Sequence, residues 1–282
     1  MMIPIDPNYL KPRLLGRAIE SHKGDFGHLL LVCGCQRMPG AAVLATGAAL
    51  HSGCGLVTLH STSRALQAVV NNYPSAMLSE DPDDCFSIVP ESLERYKCIA
   101  VGPGLGRGSQ TEDVLHKLLL AAGSLGIPLV LDADALNALS VHPWWMAEIP
   151  AGSVMTPHLG ELRRLSPWND SPEDAAQRLA RNFTCHVVLK GSHSKIYSPD
   201  GTVLVNSTGN PGLAKGGSGD VLTGLIGGLI ARGYPSRDAA ALGVWLHGYA
   251  GDRLTEEFTP ECYSSQDLID ALWKGFQDLY TF

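Results

Sequence analysis

Short apolar runs alternate with segments of helical periodicity along most of this chain, and that alternation leaves few folds open to it. Runs at 28–32, 56–59, 98–101, 128–131, 154–156 and 187–190 read as strands, interleaved with helices at 40–51, 111–122, 135–139 and 172–182. Continuous apolar strands between helices predict a mostly parallel sheet with helices packed on both faces. Later the pattern changes. Ser198-Pro199-Asp200-Gly201 separates β-prone runs at 194–197 and 202–205, which predicts a hairpin, and helices follow at 220–232, 237–254 and 265–280. No linker or internal repeat divides the chain, so one domain is the simpler expectation.

Within this framework, residues 209–224 form a glycine-rich loop that ends in an aspartate and runs into an apolar helix. Gly216, Gly217 and Gly219 lack a Cβ, so with Ser218 they can turn several N–H groups toward one small anion. Val221, Leu222, Leu225, Ile226, Leu229 and Ile230 recur in pairs every four residues, as in a helix buried along one face. The loop therefore opens at a helix N-terminus, which favours a phosphoryl group, and Asp220 stands beside it as a candidate base. A plain turn with Asp220 as N-cap is the competing reading. Three glycines in the four residues before the aspartate favour the functional one. The loop lacks the Gly-Lys-Ser/Thr ending of a P-loop, and no glycine cluster fits the dinucleotide fingerprint.

The formal charge of −7, without a Lys/Arg run, argues against nucleic acid as a partner. Seven scattered cysteines, none in a CxxC pair, argue against a disulfide framework or a zinc knuckle, and no metal-ligand set is expected. The start Met-Met-Ile-Pro-Ile-Asp-Pro has neither the basic head nor the apolar core of a signal peptide, and no apolar stretch reaches membrane-spanning length. A cytoplasmic protein without a membrane partner is expected.

In open α/β sheets ligands gather at the carboxyl ends of the strands. Four expected strands end in polar clusters: Gly102-Pro103-Gly104-Leu105-Gly106, Asp132-Ala133-Asp134, Thr156-Pro157-His158 and Lys190-Gly191-Ser192. To these the chain adds Lys23-Gly24-Asp25-Phe26-Gly27, Gly40-Ala41, Gly53-Cys54-Gly55-Leu56-Val57-Thr58, Gly160-Glu161 and His247-Gly248-Tyr249-Ala250-Gly251-Asp252. In this order and spacing the clusters resemble the ribokinase-like fold, and within it the ADP- or ATP-dependent NAD(P)H-hydrate dehydratases.

That resemblance begins at about Lys23 and implies an N-terminal arm at 1–22, a catalytic domain over 23–282 folded as a three-layer sandwich, and a lyase that repairs hydrated NADH and NADPH. It implies substrate contacts at Ala41, Gly104, His158 and Asp220, and adenine-nucleotide contacts at Lys190, Gly191, Ser192, His193, Ser194 and Gly219. ADP or ATP would be the co-substrate, with Mg²⁺ bridging its phosphates. The hydroxyl is phosphorylated, which turns a poor leaving group into a good one, and phosphate is then eliminated. Asp220 would take the hydroxyl proton while the N–H groups of 216–219 hold the transferring oxygens. The resemblance also implies a homo-oligomer such as a tetramer, and with only some two dozen residues before the match any epimerase is expected on a separate chain.

On residue type alone, His158 reads as a strand-end histidine bonded to backbone, and His247 as a core histidine on an alanine-rich helix. Lys215 stands where many relatives carry a small residue, and a lysine there could reach a phosphate. Asp132 could face the site, while Asp134 reads equally as a helix cap. His51, Trp144 and Trp145 read as structural, the tryptophans as an apolar cover near Pro143. Two other functions share the loop: a kinase of the same fold acting on a vitamin-precursor alcohol, and an adenine-nucleotide sensor without chemistry. A carboxylate beside a polyphosphate argues against the sensor, which would gain only repulsion.

Overall fold

The computed structural model of the protein describes residues 2–166 and 170–281. In chain order the elements are β1 (Met2–Ile5), α1 (Pro7–Leu10), β2 (His28–Val32), α2 (Pro39–Leu50), β3 (Leu56–Ser61), α3 (Ser63–Asn72) and β4 (Met77–Glu80). Next come β5 (Cys98–Val101), α4 (Ser109–Leu125), β6 (Leu129–Leu131), α5 (Ala133–Val141), β7 (Val154–Met155), α6 (Leu159–Leu165) and α7 (Pro172–Asn182). The chain closes with β8 (His186–Leu189), β9 (Lys195–Tyr197), β10 (Val203–Asn206), α8 (Ser218–Arg232), α9 (Ser236–Leu254) and α10 (Ser265–Thr281).

Among the described residues the strands form one sheet in the order β1-β10-β9-β8-β7-β6-β5-β2-β3-β4. Every pairing is parallel except those of β9 with β8 and with β10, and the second of these is the expected hairpin. Because successive side chains point to opposite faces, each central strand divides its residues between two cores. Leu29, Leu31, Ala100, Val130 and Val188 pack with α2, α8, α9 and α10. Leu30, Val32, Ile99, Val101, Leu131 and Val187 pack with α4, α5, α6 and α7. This is the three-layer arrangement expected from the uninterrupted apolar runs.

Close packing on the first face depends on absent side chains. A Cβ on Gly224 of α8 would lie 2.0 Å from the carbonyl oxygen of Ala45 in α2, so the two helices can meet only with glycine there. Their contact seats the start of α8 over β2, β5 and β6.

Five elements lie outside the helices and strands read from the sequence: β1, α1, β4, α3 and α6. β1 adds a parallel edge strand to β10, with Met2 opposite Val203. The two tryptophans separate. Trp145 is buried, stacked between His116 and His142, whereas Trp144 is exposed and only part of the expected cover. His51 has the structural place expected of it, its Nδ1 2.8 Å from the Gly47 carbonyl at the end of α2.

Candidate active site

The four polar clusters follow β5, β6, β7 and β8, which are consecutive in the sheet, so one crest collects them. Lys190 lies beside His158 in a parallel bridge and donates its backbone N–H to the Pro157 carbonyl at 2.9 Å. Opposite this crest the glycine loop delivers the N-terminus of α8. Gly217 has φ of 89°, and a Cβ on it would lie 2.4 Å from Leu44 Cδ1, so a left-handed turn against α2 requires glycine here. Around Gly216 a Cβ would meet nothing within 4 Å, which leaves its backbone open toward the cavity.

Between loop and crest lies a cavity of about 940 Å³. Lys190, Gly191, Ser192, His193 and Ser194 line one side, Gly216, Ser218 and Gly219 the other, with His158 at the same cavity. The expected nucleotide residues are therefore brought together, and the first-turn N–H groups of α8 have no partners within their own helix. Its volume lies in the range that small-molecule and cofactor sites occupy.

Ala41, Gly104, Gly217 and Asp220 do not line this cavity. Gly104, at φ of 59°, packs against α2, where a Cβ would lie 2.7 Å from that of Ala41. Asp220 occupies the first turn of α8 and is partly buried. Burial, and then the negative charge of Asp132, push its carboxyl up to about 6; Lys190 opposes this and Asp134 adds to it. A carboxylate held near neutrality is suited to accepting a proton under ordinary conditions.

The site contains a buried polar network that the sequence reading identified only in part. Asp132, 1% exposed, accepts from Lys190 Nζ at 2.7 Å and from Thr223 Oγ1 at 2.8 Å. Glu161 accepts from the His158 backbone N–H at 2.8 Å and stands 3.8 Å from the same ammonium. One lysine thus faces two buried carboxylates. A Cβ on Gly219 would lie 3.5 Å from both Asp132 Oδ2 and Lys190 Nζ, so this network borders the anion loop. Nothing in the sequence pattern singled out Thr223, a threonine in an apolar helix.

His158 takes the backbone-bonded place at a strand end that is read from its type, whereas Asp134 and Lys215 take places other than those read. His158 is the N-cap of α6, its Nδ1 accepting from the N–H groups of Gly160 and Glu161 at 3.0 and 3.3 Å. An Nδ1 that accepts leaves the proton of the neutral ring on Nε2. Asp134 does not cap α5; it accepts from the Gly106 N–H at 2.9 Å and so holds the loop after β5. Lys215 turns its ammonium to the carbonyls of Pro260 and Tyr263 and over the Tyr263 ring, where it is not a free cation for phosphate.

Comparison with known proteins agrees with this geometry. The family described as NAD(P)H-hydrate dehydratase matches residues 29–274. The chain is 39% identical over 251 residues to the ADP-dependent (S)-NAD(P)H-hydrate dehydratase of Neisseria meningitidis, covering 85% of this chain and 81% of that one. It is 37% identical over 278 residues to the bifunctional NAD(P)H-hydrate repair enzyme Nnr of Moorella thermoacetica, covering 94% of this chain and 52% of that one. The chain thus spans about half the length of such bifunctional relatives. Among solved structures, the ADP/ATP-dependent NAD(P)H-hydrate dehydratase of Bacillus subtilis co-crystallized with ATP/Mg²⁺ superposes with a TM-score of 0.84 at 28% identity, covering 98% of each chain. A glycine loop opening on a nucleotide-sized cavity, a half-buried aspartate at its end and matches of this extent together place the chain in the NAD(P)H-hydrate dehydratase family.

Proposed function

We propose that this protein dehydrates hydrated NADH and NADPH at the expense of an adenine nucleotide, ADP or ATP. The observation that carries the reading is Asp220, a carboxylate at the end of an open anion loop whose other side is a nucleotide-sized cavity. In this reading the nucleotide occupies the cavity, with its base end toward Gly191–Ser194 and its phosphates over 216–219. The substrate hydroxyl approaches from the side of Ala41 and Gly104. Asp220 accepts the hydroxyl proton as the oxygen attacks the terminal phosphoryl group, and the N–H groups at the start of α8 stabilise the charge on the transferring oxygens. With ADP the leaving group is AMP. The ring nitrogen's lone pair then expels phosphate, and a proton leaves the neighbouring ring carbon to restore the double bond.

Resemblance to enzymes of this kind implies magnesium, and the donor set here suits an ion carried by the nucleotide. Asp132 is engaged by Lys190 and Thr223, and Glu161 by His158. Among the described residues no group of three His, Cys, Asp or Glu side chains could hold a metal. A magnesium ion that keeps its waters and binds through phosphates needs no such cage, and when bound it neutralises phosphoryl charge.

The test is to mix the protein with hydrated NADH and each nucleotide in turn, following recovery of reduced-nicotinamide absorbance and release of phosphate. Recovery with stoichiometric phosphate supports the reading; a stable phosphorylated alcohol from another substrate, with no recovery, would make the protein a kinase. Among the described residues no helix is long and apolar enough to cross a membrane, and the reading includes a cytoplasmic location. It also includes a homo-oligomer, which sedimentation tests, and an epimerase activity that supplies the substrate epimer.

A further inference from the structure

The run His247-Gly248-Tyr249-Ala250-Gly251-Asp252 on α9 has no part in the chemistry above, yet one face of it holds the nucleotide loop at both ends. Asp252 accepts from the Gly209 N–H at 2.8 Å and from Asn210 Nδ2 at 3.1 Å, which fixes the start of the loop. Gly248 permits the approach of Thr208, whose Oγ1 would lie 2.4 Å from a Cβ there. One turn away, a Cβ on Gly251 would come within 3.0 Å of Leu213 Cδ2. At the far end His247, buried and itself lining the cavity, sets Nε2 2.9 Å from the Ser218 carbonyl oxygen and 3.1 Å from Ser218 Oγ.

These distances decide where protons sit. A carbonyl only accepts, so a ring nitrogen 2.9 Å from it must carry the hydrogen, and burial keeps the imidazole neutral by pushing its pKa down to about 4. With the proton on Nε2, that nitrogen cannot accept from the Ser218 hydroxyl. The hydroxyl hydrogen is therefore left to point elsewhere, and Ser218 faces the cavity at the N-terminus of α8.

We infer that His247 is a positioning residue: in its Nε2–H form it holds the Ser218 carbonyl and keeps the Ser218 hydroxyl available as a donor to a nucleotide phosphate. This rests on the reading of the cavity as a nucleotide site. Asp252, Gly248 and Gly251 hold the rest of the same loop, so the whole run acts as the platform on which the loop is set.

The experiment measures binding of ADP and of adenosine, and kcat with hydrated NADH, in wild type, His247→Gln, His247→Leu, Ser218→Ala and the His247→Leu/Ser218→Ala double variant. Loss of one hydrogen bond to a charged phosphate predicts about tenfold weaker ADP binding in His247→Leu and in Ser218→Ala, with adenosine binding unchanged. The glutamine amide can still donate to the Ser218 carbonyl, so His247→Gln should stay within about threefold of wild type. The double variant should be no weaker than Ser218→Ala alone, since both remove one interaction. Wild-type ADP binding in His247→Leu, or losses that add in the double variant, would overturn the inference. Ring ¹⁵N resonances of His247 in the wild-type protein give a test that needs no variant: a proton on Nε2 supports the inference, and a proton on Nδ1 refutes it. A wild-type protein that binds no ADP fails the functional reading instead, so the two failures are distinct.

Discussion

Replacing Asp220 by asparagine separates the two consequences of a partly buried carboxylate, one for stability and one for rate. The shape is nearly preserved, but the charge and the proton acceptor are gone. In the folded protein this carboxyl is raised from 3.8 to about 6, which at about 1.4 kcal/mol per pH unit means that keeping it ionised costs about 3 kcal/mol. The sign follows from the direction of the shift. Because the folded-state value lies above the unfolded one, the cost is complete above about pH 7, shrinks as pH falls through the folded value, and vanishes below the unfolded value near 3.8. Asp220→Asn should therefore be more stable than wild type at pH 7.5 by up to about 3 kcal/mol, and by about half that at pH 5. For a chain of 282 residues this corresponds to a Tm gain of about 5 °C at pH 7.5. Scanning calorimetry at the two pH values measures it. In the same variant turnover of hydrated NADH should fall by about 10²–10⁴, the usual loss of a positioned base, while nucleotide affinity holds or rises because a negative charge has left the phosphate loop. Unchanged Tm at pH 7.5 would refute the burial argument. Wild-type turnover would refute the assignment of the base, and an unfolded variant would make Asp220 a structural residue.

Gly219→Val places a branched side chain beside Lys190 Nζ and Asp132 Oδ2, each 3.5 Å from a Cβ there, so the chain should fold while nucleotide affinity drops by at least about tenfold, as equilibrium titration would show. His158→Ala should lose about 1 kcal/mol with the cap of α6, and His158→Asn, which keeps a capping acceptor, should restore Tm; turnover that stays low in both would place the ring at the substrate, and turnover restored along with Tm would make it a cap alone. Gly224→Ala should destabilise the protein by at least about 2 kcal/mol in urea, since its Cβ would fall 2.0 Å from the Ala45 carbonyl and force α2 and α8 apart. A Gly216→Ala variant, whose Cβ meets nothing within 4 Å, should unfold at the wild-type urea concentration.

What could be read from the chain follows from how each element is buried. β2, β5, β6 and β8 are covered on both faces and therefore appear as unbroken apolar runs, and α8 and α9 are long enough for their periodicity to emerge. The edge strands β1 and β4 were not legible: Met77 and Leu78 are exposed, and Met2–Ile5 becomes a strand only because β10 offers it an edge. The seven-residue α6 is too short to show a period, and its start is marked by a histidine cap instead of the common serine or aspartate.

The candidate site divides along the same line. Local chemistry, in glycines suited to the loop's backbone and in polar residues at strand ends, marked in the sequence the loop proposed to hold an anion and the aspartate, Asp220, beside it. Partnerships across the chain were beyond it. Lys190 and Asp132 are 58 residues apart, Thr223 and Asp132 91 apart, and His247 reaches Ser218 from a separate helix 29 residues on. Only the order of the strands and the glycine-permitted approach of α8 to α2 bring these groups within bonding distance. The raised pKa of Asp220 and the available hydroxyl of Ser218 are therefore properties of the packed fold, because both depend on burial and on charges that no short segment of the chain contains.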